Sequence, residues 1–135
     1  MGQAMPVSPL AGKRIIVIED NAILKIGLET VLRAAGASLV SSFDQKIDAA
    51  LLDFRLEHGV TAVPLAQALH RRGVPFAFYT GCSQASLAGI RARWPECIVI
   101  AKPASPADIV EALADMLKRQ GGKLSALLPR GISVA

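Results

Sequence analysis

Apolar residues fall along the chain in two alternating patterns. One is the short continuous run: Ile15-Ile16-Val17-Ile18, Ala49-Ala50-Leu51-Leu52, Phe76-Ala77-Phe78-Tyr79 and Cys97-Ile98-Val99-Ile100-Ala101. Runs of this length, bounded by acids, glycine or proline, are the mark of strands buried on both faces. They predict strands over residues 14–18, 49–53, 75–80 and 97–101, with a further, weaker one over 38–43. The other pattern is the helical stripe. Ile23, Ile26, Gly27, Val31 and Leu32, broadened by Leu24 and Leu28, predict a helix over residues 22–35 that Gly36 stops. Residues 63–72, with Pro64 in the first turn and Gly73 after the end, and residues 83–93 predict two more. Ser105-Pro106-Ala107-Asp108 opens a fourth with a capping serine, proline at the first helical position and an acid at the third. Its stripe is Ile109, Leu113, Met116 and Leu117, and Gly121-Gly122 closes it. Alternation of strand and helix implies an α/β fold on an open parallel sheet.

With 135 residues, there is room for one domain around one core. Residues 1–12 read as an N-terminal arm, 13–120 as the domain and 121–135 as a C-terminal tail. The tail holds Leu124, Leu127, Leu128, Ile132 and Val134, so it either packs on the domain or a partner, or is a free end. No run approaches the ~20 apolar residues that span a bilayer, and no basic stretch leads into an apolar signal core, so a cytoplasmic protein without a membrane partner is expected. The formal charge of +4 and a pI of about 9.4 come from scattered pairs: Lys13-Arg14, Arg71-Arg72, Arg91 with Arg93, and Lys118-Arg119. Without aromatic or glycine interleaving these read as solvated helix ends, and no nucleic-acid partner is expected. Cys82 and Cys97 show no zinc-ligand spacing with His58 and His70 and read as buried or bystander thiols.

The chemistry lies at the strand ends. The first predicted strand runs into Glu19-Asp20, the third into Asp53, the fourth into Thr80-Gly81 and the fifth into Lys102-Pro103. In open α/β sheets, ligands bind beyond the carboxyl ends of the strands. Three carboxylates gathered there repel one another unless a hard cation or a lysine balances them, and both are available: Mg²⁺, which takes oxygen ligands, and Lys102. An aspartate so balanced is a competent phosphoryl acceptor, because phosphoryl transfer is mainly positioning and electrostatics. Each residue alone reads as a turn or cap; the ordered set is specific.

That set, from about residue 13 to residue 119, resembles the receiver domains of bacterial two-component response regulators. The resemblance implies a flavodoxin-like, doubly wound, five-stranded parallel sheet in the order 2-1-3-4-5. It implies Mg²⁺ on Glu19, Asp20, Asp53 and the backbone carbonyl of Arg55. Asp53 is then the phospho-acceptor, served by a histidine kinase or phosphotransfer protein, with Thr80 as switch hydroxyl, Lys102 as phosphoryl contact and a cis Lys102-Pro103 bond. The stretch Pro75-Phe76-Ala77-Phe78-Tyr79-Thr80-Gly81 is similar to the single-domain FATGUY subgroup, which lacks the usual aromatic switch; Val99 stands at that position here.

Two departures stand out. Only residues 44–48 separate the second and third predicted strands, too few for a crossover helix, which with its turns takes about 10–12 residues. The second helix of the fold is therefore expected to be missing or reduced. With a mean hydropathy of +0.41, the bared sheet face implies a homodimer or an obligate partner. In addition, Phe54-Arg55-Leu56-Glu57-His58-Gly59 lacks the proline common in that loop of the family, which implies a more mobile loop. Two other readings compete with the phospho-switch acting on an unidentified downstream protein. One is a degenerate receiver-like interaction module working without phosphate. The other, a phosphate-ester hydrolase using an aspartyl-phosphate, lacks the second acid that such enzymes place two residues after the nucleophile.

Overall fold

Each apolar run forms a strand, and successive residues within it go to opposite faces of one sheet. The computed structural model describes residues 8–81, 83–119 and, for the backbone alone, 132–134. In chain order the elements are β1 (Arg14–Ile18), α1 (Ala22–Ala34), β2 (Ser38–Val40), β3 (Ala49–Leu52), a 3₁₀ turn (Glu57–Gly59), α2 (Val63–Arg71), β4 (Phe76–Thr80), α3 (Gln84–Arg93), β5 (Ile98–Ala101), α4 (Pro106–Lys118) and β6 (Ile132–Val134). Five strands are parallel in the order β2-β1-β3-β4-β5, as expected. The sheet has a sixth member that the sequence pattern did not announce: β6 pairs antiparallel with β5, Ile100 opposite Ile132 and Ile98 opposite Val134.

Two hydrophobic layers follow from the period-2 split. Ile15, Val17, Ala49, Leu51, Ala77, Tyr79, Ile98 and Ile100 face α1 and α4, meeting Leu28, Leu32, Ile109, Leu113 and Met116. Ile16, Ala50, Leu52, Phe76, Phe78 and Val99 face α2 and α3, meeting Ala66, Leu69 and Ile90. Each fully buried Leu or Ile contributes roughly 1.5–3 kcal/mol relative to exposure. The second layer holds most of the aromatic side chains. Phe54, Phe76, Phe78 and Trp94 meet with ring centroids 5.5–5.8 Å apart, mostly edge to face.

The second helix is absent, as expected: residues 41–48 carry the chain from β2, over β1, to β3 without one. The sheet face is nevertheless covered, which overturns the expectation of a bared apolar surface. Ile47 of the link is buried and Phe43 half-buried in the second layer. Polar contacts fix the path. The Gln45 side chain accepts from the Ser41 N–H, the Arg72 guanidinium donates to the Phe43 and Gln45 carbonyls, and Arg14 and Asp48 exchange two hydrogen bonds of 2.7 and 2.8 Å.

Leu10, assigned to a loose arm from the sequence, is fully buried in the first layer, and its N–H donates to the Ala35 carbonyl. That turn seats against Gly36, whose φ is +100° and where a Cβ would stand 2.8 Å from the Ser8 Cβ. Only glycine meets both conditions. Cys97 is buried as expected; Cys82, Gly121-Gly122 and the tail residues Leu124, Leu127 and Leu128 lie outside the described residues. Among the described residues no helix is long and apolar enough to cross a membrane.

Candidate functional site

Parallel neighbours in register deliver their last residues to one edge of the sheet. Ile18 of β1 lies opposite Leu52 of β3, and the Asp53 N–H donates to the Ile18 carbonyl at 2.9 Å, so Glu19 and Asp53 emerge side by side. Thr80 of β4 lies opposite Ala101 of β5, and the Lys102 N–H donates to the Thr80 carbonyl at 3.2 Å. The four expected strand ends thus meet at one place.

The Lys102 ammonium sits between two carboxylates, 3.0 Å from Asp53 Oδ2 and 3.1 Å from Glu19 Oε1. The side chains of Glu19 and Asp53 are only 5% and 13% exposed, that of Lys102 25%. Burial of the ammonium acts to lower its pKa. The hydrogen bonds and negative charges of Asp53 and Glu19 together outweigh that, and Lys102 ends above the usual lysine value. To reach Asp53 from β5 the lysine crosses over β4, and its Nζ lies 5.4 Å from the centre of the Tyr79 ring. A cation over an aromatic face at that distance is attracted by the ring quadrupole. Tyr79 was not among the residues expected at the site. Its inward alternation with Phe78 was the available sign that it would sit beneath this site.

Other members are held by backbone. The second Glu19 oxygen accepts from the Asn21 N–H at 3.1 Å, while the Asn21 side chain caps α1 by accepting from the Leu24 N–H. Thr80 is buried, and the bond joining Lys102 to Pro103 is cis, as the resemblance implied. One oxygen of the Asp20 carboxylate accepts from the Glu57 N–H in the loop after β3. Among the described residues no three carboxylate, histidine or cysteine side chains are grouped to hold a metal ion. Glu19, Asp20 and Asp53 supply the all-oxygen donor set that suits Mg²⁺, but Lys102 stands between two of them and the loop engages the third.

That loop is a closed hairpin. The Ala62 N–H donates to the Phe54 carbonyl and the Leu56 N–H to the Val60 carbonyl, with Arg55 bridged to Thr61. His58 at φ 60° and Gly59 at φ 74° turn its tip. The Arg55 guanidinium donates to the Ser86 hydroxyl in the first turn of α3 at 3.1 Å, a contact with no sequence signal.

No family model and no curated protein matches the chain. Solved structures do. The chain is similar to a response regulator receiver protein from Sinorhizobium medicae WSM419, at 22% identity and a TM-score of 0.68 over 80% of this chain and 96% of that one. It is also similar to a CheY-like receiver domain protein from Methanospirillum hungatei JF-1, at 19% identity and a TM-score of 0.66 over 81% and 96%. At these identities the likeness shows the fold. SdrG from Sphingomonas melonis Fr1 adds 31% identity with a TM-score of 0.60, over 76% of this chain and 93% of its own. The chain belongs to the response regulator receiver family. As a receiver it is a signalling domain, and its acidic strand ends and Lys102 gather where the fold places its ligand site.

Proposed function

We propose that this receiver is a phospho-switch in which Asp53 accepts a phosphoryl group from a histidine kinase or phosphotransfer protein. The observation that carries the reading is the pairing of a nearly buried Asp53 with the Lys102 ammonium at the strand ends. In the transfer, an Asp53 oxygen forms the new bond to phosphorus, the donor nitrogen leaves with its electron pair, and the product is a carboxyl-phosphate anhydride. Lys102, protonated throughout the neutral range, offsets charge on the acceptor and the incoming group. Thr80, on the adjacent strand, supplies a hydroxyl for a phosphoryl oxygen. Mg²⁺, when bound, would be held by Glu19, Asp20, Asp53 and the Arg55 carbonyl, and would screen the negative charge of the transferring group. The receiver then promotes its own phosphorylation and dephosphorylation without being an enzyme on a separate substrate.

The state is read by proteins, in the cytoplasm, and no nucleic acid or membrane is invoked. Ile23 and Ile26 in the first turns of α1 are 84% and 63% exposed and stand three and six positions after Asp20, so a phosphodonor protein docking there reaches Asp53. The homodimer expected from the sequence has this same patch at its disposal. One structural neighbour is the beryllium trifluoride-activated conformation of SdrG, 31% identical over 79% of this chain. The corresponding experiment here is a beryllium fluoride titration with Mg²⁺, followed by backbone amide resonances. Shifts at residues 53, 80 and 102 in the wild type and none in Asp53→Asn are expected; identical responses in both would reject Asp53 as the acceptor.

A second reading, a receiver-like module that works without phosphate, draws on one observation. Lys102 already balances Glu19 and Asp53, so the site is electrostatically satisfied as it stands. In that case neither Mg²⁺ nor beryllium fluoride perturbs the spectrum.

A further inference from the structure

The strand registers set Glu19, Asp53 and Tyr79 in one row. Ile18 lies opposite Leu52 and Leu52 opposite Phe78, so the next positions, Glu19, Asp53 and Tyr79, follow side by side. Ile100 of β5 completes the row opposite Tyr79. Successive residues of a strand alternate between faces. All four therefore share the face of Val17, Leu51, Ala77 and Ile98, toward α1 and α4. Lys102 follows two positions after Ile100 and starts from the β5 end of this row.

Neighbouring strands stand about 4.8 Å apart, so β5 and β3 are separated by two spacings, ~10 Å. The lysine and the aspartate close that gap above β4, and the side chain that β4 places there is Tyr79. It is 6% exposed, with its ring centre 5.4 Å from Lys102 Nζ. The two carboxylates do not by themselves decide where the ammonium rests, since they hold it at nearly equal distances, 3.0 Å for Asp53 and 3.1 Å for Glu19. The ring breaks this balance. Tyr79 is next to Asp53 in the row, whereas Glu19 is one strand farther away, and a cation gains by staying over an aromatic face. Resting on the reading of Asp53 as phosphoryl acceptor, we propose that Tyr79 is a positioning residue whose ring keeps the Lys102 ammonium on the Asp53 side of the site. There the ammonium offsets charge on the acceptor and the incoming phosphoryl group, an effect that depends on its exact placement.

The ring can be tested apart from its bulk. Tyr79→Leu keeps an apolar side chain and removes the aromatic face; Tyr79→Phe keeps the face and removes only the hydroxyl. With Mg²⁺ and acetyl phosphate, Tyr79→Leu should slow phosphorylation of the full-length chain about fivefold, the scale of one cation–aromatic contact, and Tyr79→Phe should restore the rate to within about twofold. Ring fluorination is the sharper probe, because fluorine withdraws electron density from the face and changes the shape little. Phenylalanine carrying none, one, two or three fluorines at position 79 should give stepwise slower phosphorylation. Equal rates across the series, or a Tyr79→Leu rate equal to wild type, overturn the proposal.

A second arm needs neither metal nor phosphate. The folding equilibrium constant, from denaturant melts, should fall stepwise along the fluorine series in the wild-type background and stay level in Lys102→Met. The same trend in both backgrounds means that the ring only fills the core, and overturns the proposal; the rate series stands without the Lys102 variant should that variant not fold. If the fluorine trend depends on Lys102 but no protein in the series, wild type included, is phosphorylated, the contact stands. The acceptor reading is then what fails, and the positioning role in that reaction fails with it.

Discussion

Lys102 Nζ lies 3.0 Å from Asp53 Oδ2 although their strands are not neighbours: β4 runs between β3 and β5, and the lysine passes over Tyr79 to make the contact. The pair is therefore a tie across three strands at the edge that carries the chemistry. Removing the lysine leaves two nearly buried carboxylates side by side with no cation.

Lys102→Met is expected to lower stability by about 3 kcal/mol at neutral pH, the usual scale for breaking a largely buried ion pair. The pH dependence has a definite sign. The folded-state pKa of Lys102 lies above its ordinary 10.5, so the contribution is fully present below that value and fades as pH rises through the higher folded one. Denaturant melts of wild type and variant should differ by a constant amount from about pH 7 to about pH 9 and converge beyond the lysine range. A difference that is already gone by about pH 8 contradicts the geometry.

The link that replaces the missing helix hangs on Arg72. Its guanidinium donates to the Phe43 carbonyl at 2.8 Å and the Gln45 carbonyl at 3.3 Å. Arg72→Ala should cost about 1–2 kcal/mol and speed amide exchange within residues 41–48 while sparing β4. Arg72→Lys, which cannot present two parallel donors, should recover less than half of the loss. Full recovery by lysine would mean that the two-carbonyl clamp is not what holds the link.

Cys97 is buried, its thiol donates to the Phe76 and Ile98 carbonyls, and burial pushes its pKa up to about 12. At neutral pH it holds almost no thiolate and is shielded from reagents. In a Cys82→Ser background, labelling by a thiol reagent should follow global unfolding and rise steeply in denaturant. Rapid labelling of the native protein at about pH 8 would place Cys97 outside the core.

Much of this was legible because strand ends concentrate the information. Continuous apolar runs fixed where β1, β3, β4 and β5 stop, and whatever follows a buried parallel strand emerges at one edge, so Glu19, Asp53, Thr80 and Lys102 could be grouped before any coordinates. The absence of a helix between β2 and β3 was legible from chain length alone. What covers the face in its place was not, since Ile47 and Phe43 are isolated apolar residues without periodicity. β6 was hidden for a similar reason: three residues, Ile132-Ser133-Val134, are too few for a pattern, and their pairing depends on an open edge of β5. Nor could the contact between Asp20 and the Glu57 N–H be read, because that N–H belongs to the backbone and reaches Asp20 through the shape of a loop.

The central claim is that Asp53 is a phosphoryl acceptor, and intact-protein mass spectrometry tests it most directly. The full-length protein is incubated with Mg²⁺ and acetyl phosphate beside Asp53→Asn, and each product is then treated with hydroxylamine, which cleaves acyl phosphates. One phosphoryl group on the wild type, removed by hydroxylamine and missing from Asp53→Asn, is the predicted result. An adduct of equal yield on Asp53→Asn, or one that resists hydroxylamine, would contradict the account.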